Sequence, residues 1–187
     1  IQKRATEADV IVHVGDISDF GYGLEESVAE LSRLQEAVNK PVIIVHGNHE
    51  SYDLAEVIAA YPNLTYLHKD TVQIDDMFFV GFGGGGFARH EPEVEQYFTQ
   101  LYASLPSRHG LHVWVFHGPP HDLEVDVRPD WGEATGSVSK RKLIEALKPN
   151  IVLVGHIHEA WGVVHQHEDT VLVNPGPDGV MLELTQK

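Results

Sequence analysis

The chain contains no cysteine among its 187 residues. Disulfides, thiolate nucleophiles and cysteine-ligated zinc are therefore excluded. A metal ion would have to be bound by His, Asp, Glu or Asn, a donor set that suits manganese, iron, zinc, nickel or cobalt. The 13 histidines make a site of this kind a concrete expectation.

Basic residues are scarce: 13 Lys and Arg face 28 Asp and Glu, which gives a formal net charge of -15. Such a surface repels phosphate backbones at long range, so no stable nucleic-acid complex is expected. A small phosphorylated substrate remains compatible with this charge, because a bound metal ion can reverse the local field.

Long apolar runs are also lacking, since none approaches the roughly 18 residues of a membrane helix. We expect a cytoplasmic protein with no membrane partner. Its length and its 42% hydrophobic content favour one domain over residues 1–187. The sequence does not give the oligomeric state, and a homo-oligomer is compatible with it.

Strand and helix patterns alternate along the chain, which predicts an α/β fold with a largely parallel sheet covered by helices. Short apolar runs predict strands over Val10–Val14, Pro41–His46, Met77–Val80, Leu111–Phe116 and Ile151–Val154. Helical periodicity predicts helices over Leu24–Val38, Asp53–Tyr61, Glu93–Leu105 and Ser139–Leu147. Further short strands are predicted in "LTYLH", "TVQI", "GVVHQH", "TVLVN" and "GVMLEL". The strand-rich C-terminal end suggests a second, mixed or antiparallel sheet that packs against the first.

Four of the predicted buried strands end in metal-competent side chains beside a glycine. The four segments are "VIVHVGD", "VIIVHGNHE", "VWVFHGPPH" and "IVLVGHIHE". Ligands of open α/β sheets bind outside the carboxyl ends of the strands, and neighbouring strands lie about 4.8 Å apart. The four ends are therefore expected to meet in one pocket-sized region.

Each segment alone has an ordinary explanation. Asp16 and Asn48 could be turn residues, and His117 could be a histidine with satisfied hydrogen bonds at a strand end. His156 and His158 are more distinctive, because residues i and i+2 of an extended segment point to the same side. On that geometry, Ile157 would face the core.

Taken together, "GD", "GNHE", "HGPP" and "GHIH" in this order resemble the calcineurin-like metallophosphoesterase superfamily. "FHGPPH", "GHIHE" and "VNPGP" are similar to the small prokaryotic phosphoesterases of unassigned substrate. The resemblance implies a four-layer αββα sandwich of two packed mixed β-sheets flanked by helices. It also implies hydrolysis of phosphomonoesters or phosphodiesters, with nucleotide-type substrates included, by a metal-bound hydroxide.

The resemblance further implies two divalent transition-metal ions, with manganese favoured and iron, zinc, nickel or cobalt as alternatives. Asp16 corresponds to the bridging carboxylate, Asn48, His117 and His156 to the other ligands of one ion, and His158 to a ligand of the second. His49 corresponds to the histidine that binds phosphate and protonates the leaving group. No substrate-binding residues are assigned.

One element of the family pattern is absent from this sequence, because no Asp-x-His motif precedes Asp16. Both residues of that motif bind the second ion in the family. We expect an N-terminal strand and helix to be missing from this sequence, with a length of roughly 20 residues. His13 is not expected to substitute for the motif, since it lies inside the first strand and faces the covering helices.

Three alternatives follow from the same residues. A catalytically silent scaffold of the same fold would result if the first metal motif is truly absent. A nuclease is disfavoured by the charge and by the lack of a basic stripe. "GFGGGG" fits the glycine pattern of a dinucleotide-binding loop, but neither a helix nor the required acidic residue follows it at the right distance, so it is interpreted as a loop near the site.

Overall fold

The computed structural model describes residues 2–50, 53–105, 107, 109–126 and 132–184. Within these residues the α-helices are Gln2–Ala5 (α1), Leu24–Val38 (α2), Asp53–Ile58 (α3), Pro92–Ser104 (α4) and Val138–Leu147 (α5). The strands are Ile11–His13 (β1), Val42–Ile44 (β2), Thr65–Tyr66 (β3), Asp70–Ile74 (β4), Met77–Phe82 (β5), Leu111–Phe116 (β6), Ile151–Leu153 (β7), Val164–His167 (β8) and Thr170–Val173 (β9). A short 3₁₀ helix spans His158–Ala160.

The described strands form two sheets. The smaller sheet has the order β1-β2-β3, and both of its pairings are parallel. The larger sheet has the order β4-β5-β6-β7-β9-β8. Its central strands β5, β6, β7 and β9 are parallel, and its edge strands β4 and β8 pair antiparallel. The expected two-sheet architecture is confirmed, and among the described strands the mixed character lies in the larger sheet. The expectation that the C-terminal strands form the second sheet is wrong, because β9 pairs parallel with β7 and β8 pairs with β9, so both extend the larger sheet.

Three apolar clusters define four layers. One cluster joins the two sheets face to face and includes Ile43 of β2 and the adjacent Val45, with Val113 and Val115 from the larger sheet. A second covers the outer face of the larger sheet with α4 and α5. The third covers the outer face of the smaller sheet with α2 and α3. The sequence order of α/β elements thus builds an αββα sandwich.

Local sequence explains where the helices begin and end. Leu24 and Val28 are the buried apolar positions on the first half of α2, at helical spacing. Asn39 ends α2 in the left-handed conformation and donates its backbone N–H to Gln35. Ser137 begins α5, because its side chain accepts a hydrogen bond from the backbone N–H of Lys140.

The predicted strand in "GVMLEL" is wrong. Residues 179–184 belong to no described strand, and Val180, Met181 and Leu184 are 39–43% exposed. Apolar alternation fits a pleated surface, but a strand also requires a neighbour with which to exchange hydrogen bonds. No described helix has both the length and the apolar character needed to cross a membrane.

Candidate metal centre

Two glycine-preceded loops at the carboxyl ends of β1 and β2 approach each other closely. A Cβ atom on Gly47 would lie 1.9 Å from Asp16 Oδ1, and one on Gly15 would lie 2.6 Å from the backbone nitrogen of Gly47. Only glycine permits this approach. Asp16 itself adopts a left-handed backbone with φ of 53°. The "GD" and "GN" pairs therefore bring Asp16 beside Asn48 through backbone contact of their loops.

Glu50, the last residue of "GNHE", joins these two loops. Its buried carboxylate accepts hydrogen bonds from the backbone N–H groups of Asp16 (3.0 Å), Gly47 (2.8 Å) and Ser18 (3.0 Å). It also accepts one from the Ser18 hydroxyl at 3.0 Å. Because both oxygens are engaged, Glu50 fixes the loops and does not present a ligand. The sequence pattern places this acid at a strand end but does not reveal its role.

His117 extends from the end of β6 in the other sheet. Its Nδ1 lies 2.8 Å from the carbonyl oxygen of Val14 and donates a proton to it, since a carbonyl oxygen only accepts. Its Nε2 faces two oxygens, Asn48 Oδ1 at 2.9 Å and Asp16 Oδ2 at 3.2 Å. In a neutral ring, the Nε2 lone pair would point at two further lone-pair atoms. A cation among these atoms would convert that repulsion into three ligand bonds.

His156 follows β7 with a left-handed backbone, φ of 66°. Its Nε2 is buried and has no hydrogen-bond partner. Burial is the main reason that its pKa is lowered to about 4, and the nearby His117 lowers it further. The ring is therefore neutral at pH 7 and offers a lone pair. A buried nitrogen without a partner is costly in a folded protein, which indicates that this one has a ligand.

Asp16, His117 and His156 form one group of potential ligands, with donor atoms that all lie within 4.8 Å of one another. Zinc-type ions bind nitrogen and oxygen at about 2.0–2.2 Å, so two ligands of one ion approach to about 3 Å. The distances from His117 to Asn48 and to Asp16 match this spacing. The residues present therefore fit a divalent transition-metal ion.

The ionisation state of Asp16 also suits a ligand of a divalent metal ion. Burial opposes ionisation of its carboxyl group, but its interactions with His117 and His49 more than offset this. The net effect is that the pKa of Asp16 is lowered. The backbone N–H of His49 also donates to Asp16 Oδ1 at 3.1 Å.

His49 lies at the edge of this group and is partly buried. Its Nε2 is 3.8 Å from Asp16 Oδ2, and its Nδ1 lies 3.3 Å from the carbonyl oxygen of Ser18. That contact orients the ring so that Nε2 faces the candidate centre. The assignment of His49 as the catalytic histidine stays a prediction.

The assignment of His158 as a ligand of the second ion stays a prediction, but the backbone around it differs from the expected one. The expectation of an extended segment is wrong, because His156 has a positive φ and His158 begins the 3₁₀ helix. The side chain of His158 is exposed, and its ring contacts Trp161 with 4.6 Å between the ring centroids. It is not part of the group formed by Asp16, His117 and His156.

Two buried polar residues hold the site loops, although sequence patterns do not assign them to the centre. Asn174 is interpreted from sequence as a turn residue of "NPGP". Its Nδ2 donates to the carbonyls of Ile157 (2.9 Å) and Gly155 (3.3 Å), on both sides of His156. Lys140 on α5 donates to the carbonyl of Gly118 at 3.0 Å, next to His117. A polar residue at the buried end of an apolar strand is the signal that could have identified Asn174.

Other residues considered from sequence have structural contacts. His13 accepts a hydrogen bond from the backbone N–H of Gly15 at 3.2 Å, and it shares the β1 face of Ile11, which packs with the helix-covered cluster. Gly86, the last glycine of "GFGGGG", approaches the centre: a Cβ there would lie 3.6 Å from both Asn48 Cβ and His156 Cε1. The glycine run is therefore a loop at the site, as expected.

Comparisons with known proteins identify the family of this chain. The family described as the calcineurin-like phosphoesterase superfamily domain matches residues 1–185. The chain belongs to this superfamily. Metal-dependent phosphoester hydrolysis is the general chemistry that membership implies, and the candidate centre supplies ligands for it.

Individual relatives are distant. The uncharacterized protein MJ1162 of Methanocaldococcus jannaschii is 30% identical over 189 residues, with 96% of this chain and 83% of that protein covered. The UPF0046 protein K07C11.7 of Caenorhabditis elegans is 26% identical, and the match covers 89% of this chain and 62% of that protein. The crystal structure of TT1561 of Thermus thermophilus has a TM-score of 0.69 at 18% identity, over 94% of this chain and 80% of the other. This structural likeness concerns the fold.

Proposed function

We propose that this chain hydrolyses a small phosphomonoester or phosphodiester with the help of two divalent transition-metal ions, manganese being favoured. The observation that carries the proposal is the convergence of Asp16, Asn48, His117 and His156 with a buried, unpartnered His156 Nε2. These four residues would hold one ion. Asp16 would also contribute to the second ion, for which His158 would be a further ligand.

The ions, when bound, supply Lewis acidity that activates a water and neutralises charge on phosphate oxygens. The chain positions the reactants around them. Asp16 orients its carboxylate through the backbone N–H of His49, and Glu50 keeps the Asp16 and Gly47 loops together. His117 is fixed in one tautomer by the carbonyl of Val14. A rigid set of ligands of this kind keeps the substrate phosphate in line for displacement.

His49 is proposed to transfer a proton to the departing ester oxygen. Ser18 orients the ring, and Nε2 lies on the Asp16 side of the centre. A histidine here can donate a hydrogen bond to an oxygen on which negative charge develops. No covalent intermediate is required, because the proposed nucleophile is a water.

The test is hydrolysis of p-nitrophenyl phosphate and bis-p-nitrophenyl phosphate after removal and return of metal. Protein treated with a chelator should be inactive, and Mn²⁺, Zn²⁺, Ni²⁺ or Co²⁺ should restore turnover. Asp16→Asn and His117→Ala should each lower kcat by at least about 100-fold, since both remove a ligand. Comparison of the two esters distinguishes a monoesterase from a diesterase.

His109→Ala is the matched control, because His109 is exposed and precedes β6, at the end opposite to His117. It should retain the wild-type rate. Full activity in chelator, or in Asp16→Asn, would contradict the proposal. Failure of every metal to bind or to restore activity would instead favour a scaffold of the same fold.

A further inference from the structure

Exposed aromatic rings contact histidines at and beside the candidate centre. Four aromatic side chains of the described residues are largely exposed: Phe20, Tyr22, Phe87 and Trp161, at 48–82%. Phe20 and Phe87 contact histidines at the centre, and Trp161 contacts His158, the proposed ligand of the second ion. The ring centroids are 3.8 Å apart for Phe20 and His49, 4.5 Å for Phe87 and His156, and 4.6 Å for Trp161 and His158. We call Phe20, Phe87 and Trp161 the aromatic rim.

Phe20 occupies its position in spite of an unfavourable backbone. Its φ is 51°, in the left-handed region that bulky residues seldom adopt. The turn is closed by a hydrogen bond from the Tyr22 N–H to the Asp19 carbonyl at 3.0 Å. The Phe20 ring stacks nearly parallel on His49, at 23°, while 68% of the residue is exposed. A strained backbone that keeps an apolar ring in water indicates a functional demand.

Phe87 is brought to the centre by the glycine run. Gly84, Gly85 and Gly86 all have positive φ, and Gly86 passes close to Asn48 and His156. The next residue, Phe87, then sets its ring edge against His156 at an interplanar angle of 65°. The ring remains 57% exposed. The run of glycines thus places an aromatic ring beside the ligands, whereas a dinucleotide loop would place a helix there.

The base of the Trp161 side chain packs against the turn after β9. A Cβ on Gly176 would lie 2.9 Å from Trp161 Cβ. The N–H of Gly162 donates to the carbonyl of Asn174 at 2.8 Å and fixes the adjacent backbone. The indole is 48% exposed. Its attachment is rigid while part of its surface is open to a ligand.

We propose that the aromatic rim binds a planar ring of the nucleobase class, carried by the phosphoester that the centre hydrolyses. The inference rests on the proposed function and specifies its substrate as a mononucleotide-type ester. Stacking on exposed aromatic side chains recognises flat rings without any charge. The net charge of -15 disfavours a long polyanion, which limits the ligand to a small nucleotide.

Binding to metal-free protein tests the rim without any turnover. Adenosine and ribose, titrated into chelator-treated protein, are followed by the NMR signal of the Trp161 indole N–H and by chemical shifts of the Phe20 and Phe87 amides. Adenosine should shift these signals and ribose should not. Phe87→Ala and Trp161→Ala should each weaken adenosine binding by tenfold or more, as expected for loss of a stacking partner.

Val164→Ala is the control, because Val164 is an exposed apolar residue on the edge strand β8 with no assigned role at the centre. It should leave adenosine affinity unchanged. Equal binding of adenosine and ribose, or an adenosine affinity that is insensitive to both rim variants, would overturn the assignment.

Hydrolysis separates this inference from the proposed function. Two pairs of substrates are compared: adenosine 5′-phosphate with ribose 5-phosphate, and the methyl diester of the first with the methyl diester of the second. Within each pair, only the first compound carries a base. The metal-loaded protein should show a kcat/KM at least tenfold higher for the adenosine ester, and Trp161→Ala should reduce that ratio. Equal hydrolysis of the esters with and without a base would contradict base binding by the aromatic rim but not the proposed function. Rim-dependent adenosine binding without hydrolysis of any ester would contradict the proposed function alone.

Discussion

His49 is the residue whose proposed role is easiest to separate from metal binding. It contacts Asp16 through its backbone N–H, which a substitution retains, while its ring faces the centre. His49→Ala should therefore lower kcat by about 10²–10⁴-fold, the usual contribution of a positioned proton donor. Metal content, measured by mass spectrometry of the digested protein, should stay at the wild-type level.

Hydrolysis of phosphodiesters by His49→Ala at the wild-type rate would show that the role is misassigned. A proportionate loss of metal and of activity would also contradict it, since His49 would then act as a ligand. His109→Ala again serves as the unaffected control, because its side chain is exposed.

Glu50 is expected to matter for stability and for metal affinity together. Its carboxylate accepts hydrogen bonds from three backbone N–H groups and one hydroxyl in a buried position. Glu50→Gln replaces an acceptor oxygen by an NH₂ group that faces N–H donors. The free energy of unfolding should fall by about 2–3 kcal/mol. Metal affinity should fall by about 10–100-fold, as for other groups that support ligands.

Urea denaturation and metal titration measure the two effects of Glu50→Gln. Glu36→Gln is the matched control, since Glu36 is exposed on α2 and should change neither quantity. An unchanged free energy of unfolding for Glu50→Gln would contradict this account. It would mean that the hydrogen bonds accepted by Glu50 do not hold the Asp16 loop in place.

At the scale of elements, the sequence predicted what depends on local periodicity. Helix α2 has the predicted bounds, because its apolar spacing and its left-handed Asn39 cap are both local features. The parallel core strands and their convergent ends follow from the alternation of strand and helix patterns and from the short apolar runs of the strands. The "GVMLEL" segment shows the opposite case, since strand formation needs a partner that periodicity does not reveal.

The candidate metal centre was predictable from sequence only where it depends on the topology of the sheet. Asp16, His117 and His156 meet because strand ends converge, a rule that depends only on topology. The position of His158 depended on the local backbone of His156, which turns left-handed and enters a 3₁₀ helix. Glu50 accepts hydrogen bonds from a loop 32–34 residues away in the sequence, and no local sequence pattern predicts such contacts.

The loop after β7 yields a prediction at the element scale. Asn174 donates to the carbonyls of Gly155 and Ile157, and its Oδ1 accepts from the N–H of Gly176 at 3.1 Å. Asn174→Ala removes these three hydrogen bonds, and the carbonyls of Gly155 and Ile157 then keep only the backbone N–H groups of Ile157 and Ala160 as donors. The free energy of unfolding should fall by about 2 kcal/mol. Amide hydrogen exchange over residues 155–163 should quicken more than exchange in β6.

A uniform increase in exchange over the whole chain would show that Asn174 stabilises the fold at large and has no special role in the loop. Asn63→Ala is the control, because Asn63 bonds to Ser32 and Gln35 on α2, away from the loop. Its effect should appear in α2 and not over residues 155–163.

At the scale of the whole molecule, buried neutral histidines should determine how metal-free stability depends on pH. Burial lowers the pKa of His68 to about 4, with a further contribution from His46, and the pKa of His156 to about 4. The ordinary pKa of histidine, expected in an unfolded chain, is 6.5. Below that pH the unfolded chain binds protons that the folded chain does not, so stability falls as pH decreases from about 6.5 to about 4.

The urea midpoint of chelator-treated protein should therefore be lower at pH 5 than at pH 7.5. His68→Asn should reduce this difference, because it removes one of the titrating groups and keeps an acceptor for the backbone N–H of Gly83, which now donates to His68 Nδ1 at 3.1 Å. His109→Asn should leave the difference as in the wild type. A midpoint that stays constant or rises towards pH 5 would contradict the neutral state of the buried histidines.

The central claim is that Asp16, Asn48, His117 and His156 together bind a divalent transition-metal ion. The most direct measurement is anomalous diffraction from crystals of the metal-loaded protein, recorded at the absorption edge of the added metal. The account predicts a peak in contact with side chains of Asp16, His117 and His156, and its loss in His156→Ala. A fully loaded, hydrolytically active protein whose anomalous peak lies away from these three residues would contradict it.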